Sequence, residues 1–440
     1  MWPSCWVWRG DLMREISVEH LARVEGHGSI EVVLEGDEVK RAFLRIYEGP
    51  RFFERILIGR RYYEVPDITA RICSICPDPH QVVSSRAIEK AMGVRVDRQV
   101  EVLRELQLIS DVIHSHALHL FFLALPDFLG YEDAVSMAGK YPETVKLALK
   151  VKRAGNAIKE TITGRTVHGV VTKPGGYTRV PRSEELERLA RQLEESIDGA
   201  REAVRVFSSL EMPSFARRSN LYMAVDPGEA YGYSGDYVLV SDGGRYPVER
   251  YMELTNETTV GHSSAKHSSY KGRSFMTGAL ARLLLNRSRL YGEAREAYGK
   301  LEGKIDDANP FSNNLAQAIE LLYSVERAVD LINSLLDEGL KDELMVEVSP
   351  RAGKGIAAVE APRGLLYHHY RLDDDGRVIF ANIVTPTAQN AANIDDHIRT
   401  AVGNLRGLGD EELRFKLEML VRAYDPCISC SVHLVRLRRE

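Results

Sequence analysis

Four cysteines are the residues of this sequence best suited to chemistry. Cys73 and Cys76 lie in Arg71-Ile-Cys-Ser-Ile-Cys-Pro-Asp-Pro-His80, and Cys427 and Cys430 in Asp425-Pro-Cys-Ile-Ser-Cys-Ser-Val-His433. A two-residue gap sets both sulfurs of a pair on one side of a tight turn, close enough to chelate one ion. Four thiolates select soft transition metals over magnesium or calcium. The cysteine count alone reads as a structural zinc site with four sulfur ligands. The separation of the pairs, about 350 residues, argues against zinc. A zinc ribbon or finger gathers its ligands within a short loop, because its task is to hold a small module together. A metal bound here would sit at the centre of a large subunit and tie its two ends.

The elements that must position these sulfurs come from a chain of 440 residues. Its 44 % apolar and 28 % charged residues exclude disorder and low complexity. A net charge of −5 gives no basic field, so nucleic acid is not an expected partner. Five cysteines in so long a chain do not make a disulfide scaffold. Residues 1–12 hold all three tryptophans and Cys5 but neither a basic start nor a long apolar stretch. They do not read as a signal peptide. Met13 begins a more ordinary sequence, so 1–12 is read as a non-native or disordered extension. The longest apolar run, 117–125, is interrupted by His119 and is far shorter than the ~20 residues of a membrane span. The expectation is a cytoplasmic protein with no span.

Alternation of Ile30, Val32 and Leu34, a turn at Glu35-Gly36-Asp37 and a second apolar stretch through Ile46 predict a hairpin over residues 28–48. A long helix is expected from about 97 to 125. Another, capped by Ser183, steps by threes and fours from Leu186 to Phe207, and a third runs from Leu315 to Leu336. Residues 220–250 read as irregular or β, and a late hairpin spans 366–384. The fold class is mainly α with small β elements at both ends. A single domain from 13 to 433 is expected, with no repeat or internal boundary.

The flanks of the cysteines carry a resemblance. RxCxxC with a following histidine, and DPCxxCxxH near the end of the chain, resemble the two signature motifs of NiFe-hydrogenase large subunits. Arg23-Val-Glu25-Gly-His27, Gly49-Pro-Arg-Phe-Phe-Glu54, Ala361-Pro362-Arg363-Gly364 and Thr385-Pro386-Thr387 fall in that family's order. A narrower similarity, to the alpha subunits of soluble archaeal NADP-linked hydrogenases (sulfhydrogenases), rests on three stretches. They are Ser115-His-Ala-Leu-His119, Lys266-His-Ser-Ser-Tyr-Lys-Gly272 and the last cysteine motif.

The resemblance implies a large-subunit fold with a central helical bundle and a Ni-Fe(CO)(CN)2 centre. All four cysteines would bind nickel. Cys76 and Cys430 would bridge to the iron, and Cys73 and Cys427 would be terminal. H2 would be split heterolytically, with Cys427 accepting the proton and Glu25 passing it onward. Arg363 would stand above the open site, paired with Asp425. Pro362 and Thr387 would complete the cyanide surroundings, and His80 would donate to a bridging sulfur. Glu54, the Ile383 carbonyl and His433 would hold a second metal, Mg2+ or Fe2+.

One family position departs. The membrane-bound uptake enzymes have Asp where this chain has Ser115, in His114-Ser115-His116. Arg363 is therefore expected to be held differently. His116 and His119 share a helix face and read as buried hydrogen-bonding residues. No further cysteine motif and no GxGxxG after a strand remains. Electrons would pass to an iron–sulfur small subunit, then to diaphorase-type subunits binding flavin and NAD(P). Nickel-insertion chaperones would load the metal, and a maturation protease would cut after His433, releasing 434–440. A redox-inert zinc scaffold and an H2-sensing regulatory subunit stand as alternatives.

Overall fold

In the computed structural model, which describes residues 13–36 and 38–432, Asp97 opens the longest apolar helical run. Its carboxylate accepts from the Gln99 amide at 2.9 Å and caps the helix Arg98–Leu118. The helix continues through a π-helical turn, His119–Ala124, into Leu125–Leu129. The whole run, Arg98–Leu129, is 32 residues and is long and apolar enough to cross a membrane, and 78 % of its most apolar window is buried inside the fold. This corrects the ceiling set by the 117–125 stretch. Asp111, His116 and His119 break an apolar count but not a helix, because each is buried against a polar partner.

Pro142–Thr163 and Ser312–Glu338 pack on that run, and Ser183–Glu194 and Ile197–Ser209 pack on those two in turn, giving the central helical bundle. The closest approach needs Gly155. A Cβ there would lie 2.8 Å from the His114 backbone nitrogen. The third expected helix is present as Ser312–Glu338. The second is two helices. Ser196 Oγ donates to the Leu193 carbonyl at 2.8 Å, ending the first, and the chain re-enters helix at Ile197. Ser183 is the first residue of its helix rather than the cap. Glu185 satisfies the Arg182 amide at 2.9 Å instead.

The first sheet is antiparallel, Met13–Val18, Gly28–Glu35 and Glu38–Ile46, with Ile30 opposite Leu44 and Val32 opposite Ala42. Asp37, in the expected turn, lies outside the described residues. The late hairpin is part of a four-stranded sheet whose neighbours run Val378–Val384, Gly364–Leu372, Gly353–Ala361 and Ser234–Gly235. Gly353–Ala361 is buried on both faces along most of its length, so it shows no alternation to find. Its tight link to Gly364–Leu372 presents Arg363 at the turn. β structure is not confined to the ends, since Met223–Asp226, Tyr237–Val240 and Arg245–Pro247 form a further sheet.

Candidate metal centre

The first cysteine pair lies on a turn that runs into the helix Pro77–Met92, with Pro77 at its first position. Cys73 Sγ accepts from the Ile75 and Cys76 amides at 3.3 and 3.2 Å, so the turn itself stabilises a thiolate. The second pair is held by the segment around Glu25. Glu25 and Cys427 form a parallel backbone bridge, in which the Ile428 amide donates to the Glu25 carbonyl at 2.9 Å. The next residue must be glycine. Gly26 has φ +86, and a Cβ there would meet Ser429 N at 2.7 Å.

Three arginines fix this arrangement. Arg51 Nη2 donates to the Ile72 carbonyl at 2.6 Å and to the Ser429 carbonyl at 2.5 Å, stapling one cysteine turn to the other. Arg422 donates to Asp127 at 2.7 and 3.0 Å. Arg23 pairs with the same carboxylate, which anchors the segment carrying Glu25.

The four sulfurs lie within 4.8 Å of one another, and all four cysteines are free and buried. Cys427 Sγ is 3.5 Å from Cys73 Sγ and 2.6 Å from Cys430 Sγ. The Cys427 thiol donates to Glu25 Oε2 at 3.1 Å. Ser429 donates to the same carboxylate, from its amide at 3.1 Å and from its hydroxyl. Burial pushes Cys427 and Cys430 well up. Hydrogen bonds from Cys427 and Cys430 pull Cys73 well down. Four sulfurs so placed cannot all ionise unless a cation joins them, and a soft metal ion is what the donor set fits.

Arg363 stands beside these sulfurs and is buried. Its Nε donates to the Asp425 carbonyl at 2.6 Å and its Nη2 to Asp425 Oδ1 at 2.8 Å. Its Nη1 is buried with no hydrogen-bond partner. An unpaired guanidinium donor there fits a small polar ligand beside the metals. Thr387 Oγ1 accepts from the Cys427 amide at 2.9 Å, which leaves its hydroxyl hydrogen free to donate. His80 Nδ1 lies 3.2 Å from His368 Nε2, leaving Nε2 for any bond to a sulfur. Burial brings His80 down to about 4, so it is a neutral imidazole.

Glu54 is the third polar feature. Both its carboxylate oxygens are buried without a hydrogen-bond partner, and burial pushes its carboxyl up to about 7. It lies beside the Ile383 backbone and the Lys266 ammonium. Two unpaired hard oxygens suit Mg2+ or Fe2+. His433 and the 434–440 tail lie outside the described residues, as do Cys5 and the whole 1–12 extension.

Sequence reasoning missed Arg282, Gln317, Glu320 and Arg51 as contributors. Arg282 is fully buried and donates to the Ala361 and Pro362 carbonyls, both at 3.0 Å. It thereby grips the turn that carries Arg363. Glu320 and Glu360 hold Arg282 in turn. His116 and His119 reach across to the facing helix, His116 to Glu320 at 2.8 Å and His119 to Gln317 at 2.6 Å. A signal existed for the last four, since each pair is spaced by three on its own helix. A second group, His262, His267 and Asp395, also converges. There the His262–Asp395 contact at 3.1 Å and the Leu44 amide at 2.8 Å occupy the carboxylate, tying strand to helix.

Comparison with known proteins agrees with this geometry. A family model described as nickel-dependent hydrogenase matches residues 51–172 and 238–433. The chain is 45 % identical to the sulfhydrogenase 2 subunit alpha of Pyrococcus furiosus over 427 residues, 96 % of this chain and 100 % of that one. It is 42 % identical to the sulfhydrogenase 1 subunit alpha of the same organism, over 97 % of this chain and 100 % of that one. A crystal structure of an NAD+-reducing [NiFe]-hydrogenase in the H2-reduced state superposes with a TM-score of 0.85 at 28 % identity, covering 96 % of this chain and 99 % of that chain.

Proposed function

The chain belongs to the nickel-dependent hydrogenase family as a catalytic large subunit, and we propose that Cys73, Cys76, Cys427 and Cys430 hold its nickel–iron centre. All four sulfurs would hold the nickel, and Cys76 and Cys430 would also hold the iron with its CO and cyanide ligands. The observation that carries this reading is the convergence of four buried sulfurs within 4.8 Å, beside an arginine with one unpaired donor. When bound, such a centre supplies a redox-active open position at which H2 is polarised.

The protein's own residues then handle the proton. Cys427 accepts it, and Glu25 Oε2, 3.1 Å away, takes it from the sulfur. Ser429, donating twice to that carboxylate, keeps it facing the thiolate. Glu25 is only half-buried, so it can hand the proton outward. Arg363 directs its free Nη1 at the reacting ligand, and Asp425 fixes its plane. Pro362 and Thr387 would line the side of the iron's cyanides, and His80 would donate to the sulfur of Cys76 or Cys430. Glu54, the Ile383 carbonyl and His433 would hold Mg2+ or Fe2+.

The two electrons leave through an iron–sulfur small subunit to diaphorase-type subunits that bind flavin and NAD(P), in the cytoplasm. Maturation ends the chain at His433. Cys430, Ser431 and Val432 are buried, and three arginines at 436, 438 and 439 could follow them inward only at a large desolvation cost. Intact-mass spectrometry of nickel-loaded protein checks this, and a mass retaining Glu440 would refute it.

The central reading is tested by metal analysis of the protein purified with its co-expressed partners, together with H2-dependent dye reduction. Nickel at about one per large subunit, and iron beyond what the partners' iron–sulfur clusters account for, are expected. Zinc in their place, with no dye reduction, would leave a redox-inert scaffold.

A further inference from the structure

The carboxylate that holds Arg363 is itself held from behind. Asp425 Oδ2 accepts from Gln317 Nε2 at 3.1 Å. The other end of that amide, Gln317 Oε1, lies 2.6 Å from His119 Nδ1. His119 Nε2 lies 2.7 Å from the Arg422 carbonyl oxygen. His119, Gln317, Asp425 and Arg363 are all buried, none more than 4 % exposed.

Counting donors and acceptors fixes the protons along this line. An ionised Asp425, paired with Arg363, can only accept. Gln317 must therefore turn its NH2 toward Asp425 and its carbonyl toward His119. The Arg422 carbonyl also only accepts. Both ring nitrogens of His119 thus face acceptors, and a neutral imidazole has one N–H. The ring satisfies both only as an imidazolium. Reversing the amide does not escape the requirement, because it sets the Gln317 carbonyl against the Asp425 carboxylate.

The local fold is arranged for this contact. A π-helical turn begins at His119, and such turns recur at functional sites. The need for a support behind Asp425 is also visible. Ser115 lies on the helix that runs into this turn. Its Oγ and Arg363 Nη1 are both buried without partners. Among the described residues, Asp425 alone hydrogen-bonds the Arg363 guanidinium.

We propose that Gln317, clamped by a doubly protonated His119, is a positioning residue that fixes Asp425 and, through it, the direction of the Arg363 guanidinium. The line alternates charge, imidazolium to carboxylate to guanidinium, with the neutral amide as the rigid link between the first two. Gln317 and His119 are not themselves at the reacting atoms.

Neutron diffraction from deuterium-exchanged crystals of the assembled enzyme tests the protonation directly. Deuterium on both Nδ1 and Nε2 of His119 is expected, with the Gln317 ND2 toward Asp425. A singly deuterated ring would overturn the proposal. The second arm is Gln317→Met, which keeps the length and removes both hydrogen bonds. Nickel and iron content should match wild type, the Arg363–Asp425 contacts should lengthen in the crystal structure, and kcat should fall about 100-fold with KM for H2 unchanged. Unchanged contacts and unchanged kcat would refute the positioning role, and if this variant fails to fold the neutron result decides. The turnover arm rests on Arg363 acting at the metal centre. Should Arg363→Lys keep full turnover while His119 is doubly deuterated, that reading fails and the hydrogen-bonded line stands.

Discussion

Glu25 and Cys427, 402 positions apart in the chain, meet twice, by side chain at 3.1 Å and by backbone in a parallel bridge. The double contact matters because a proton hop across an S–H···O contact is sensitive to tenths of an ångström. The backbone bridge sets the distance, and the side chains only have to point.

Glu25→Gln should therefore keep the geometry and remove the acceptor. Nickel and iron are expected at wild-type content, with H/D exchange and turnover reduced by ~10²–10⁴. Isotope exchange by mass spectrometry, run beside metal analysis, measures both. Wild-type exchange in a fully loaded variant would make Glu25 structural.

Gly26→Ala attacks the same contact through the backbone. The new Cβ meets Ser429 N at 2.7 Å and Ile428 Cβ at 2.9 Å, at a φ of +86. The strain is of order 2 kcal/mol, and relief requires the Cys427–Cys430 turn to withdraw. Lower nickel incorporation and a lower melting temperature are expected. A variant with wild-type loading and melting would show that the bridge has slack.

Arg363→Lys should leave assembly intact and cut turnover by about 100-fold. The guanidinium makes two bonds to Asp425, at 2.6 and 2.8 Å, and still has Nη1 to spare. An ammonium cannot hold that fork and also present a directed third donor. H2-dependent dye reduction per nickel is the measurement, and retention of most of it would take Arg363 off the list of catalytic residues.

The Arg282 cluster should shape the pH dependence of stability. Burial opposes the charge on Glu320, but the pull of Arg282 and its paired hydrogen bonds win, holding the carboxyl at about 2 against an ordinary 4.5. The unfolded state binds the proton first as pH falls, so stability from Glu320 is fully present above about 4.5 and lost toward pH 2, on the order of 3 kcal/mol. Glu360 has the opposite sign. Burial pushes it up to about 7, so the folded state holds the proton longer and loses stability as pH rises from about 4.5 to 7. Thermal melts across pH should show both limbs. Glu320→Gln should flatten the acid limb and Glu360→Gln the other, and unchanged profiles would contradict the assignment.

The sequence by itself determined the parts that depend on near neighbours. The Cys73–Cys76 and Cys427–Cys430 spacings set each pair of sulfurs on one turn, whatever the rest of the chain does. Apolar periodicity marked Ser312–Glu338, and alternation marked Gly28–Glu35 with Glu38–Ile46. The motif order carried Glu25, Glu54 and Arg363 as candidates. Periodicity could not see the break at Ser196, where one side-chain bond ends a helix. It could not see Gly353–Ala361 either, because burial on both faces erases alternation.

Only the tertiary structure decided which residues hold the candidates in place. Arg51 reaches Ser429 across 378 positions, Gln317 reaches Asp425 across 108, and His119 reaches Arg422 across 303. Buried polar groups must find partners, but which partner is set by how helices and sheets pack, not by spacing along the chain. The same packing turned an apolar run long enough for a membrane into the interior of a bundle. Its polar residues are satisfied by the neighbouring helices, so burial inside the protein does for them what hydrocarbon could not.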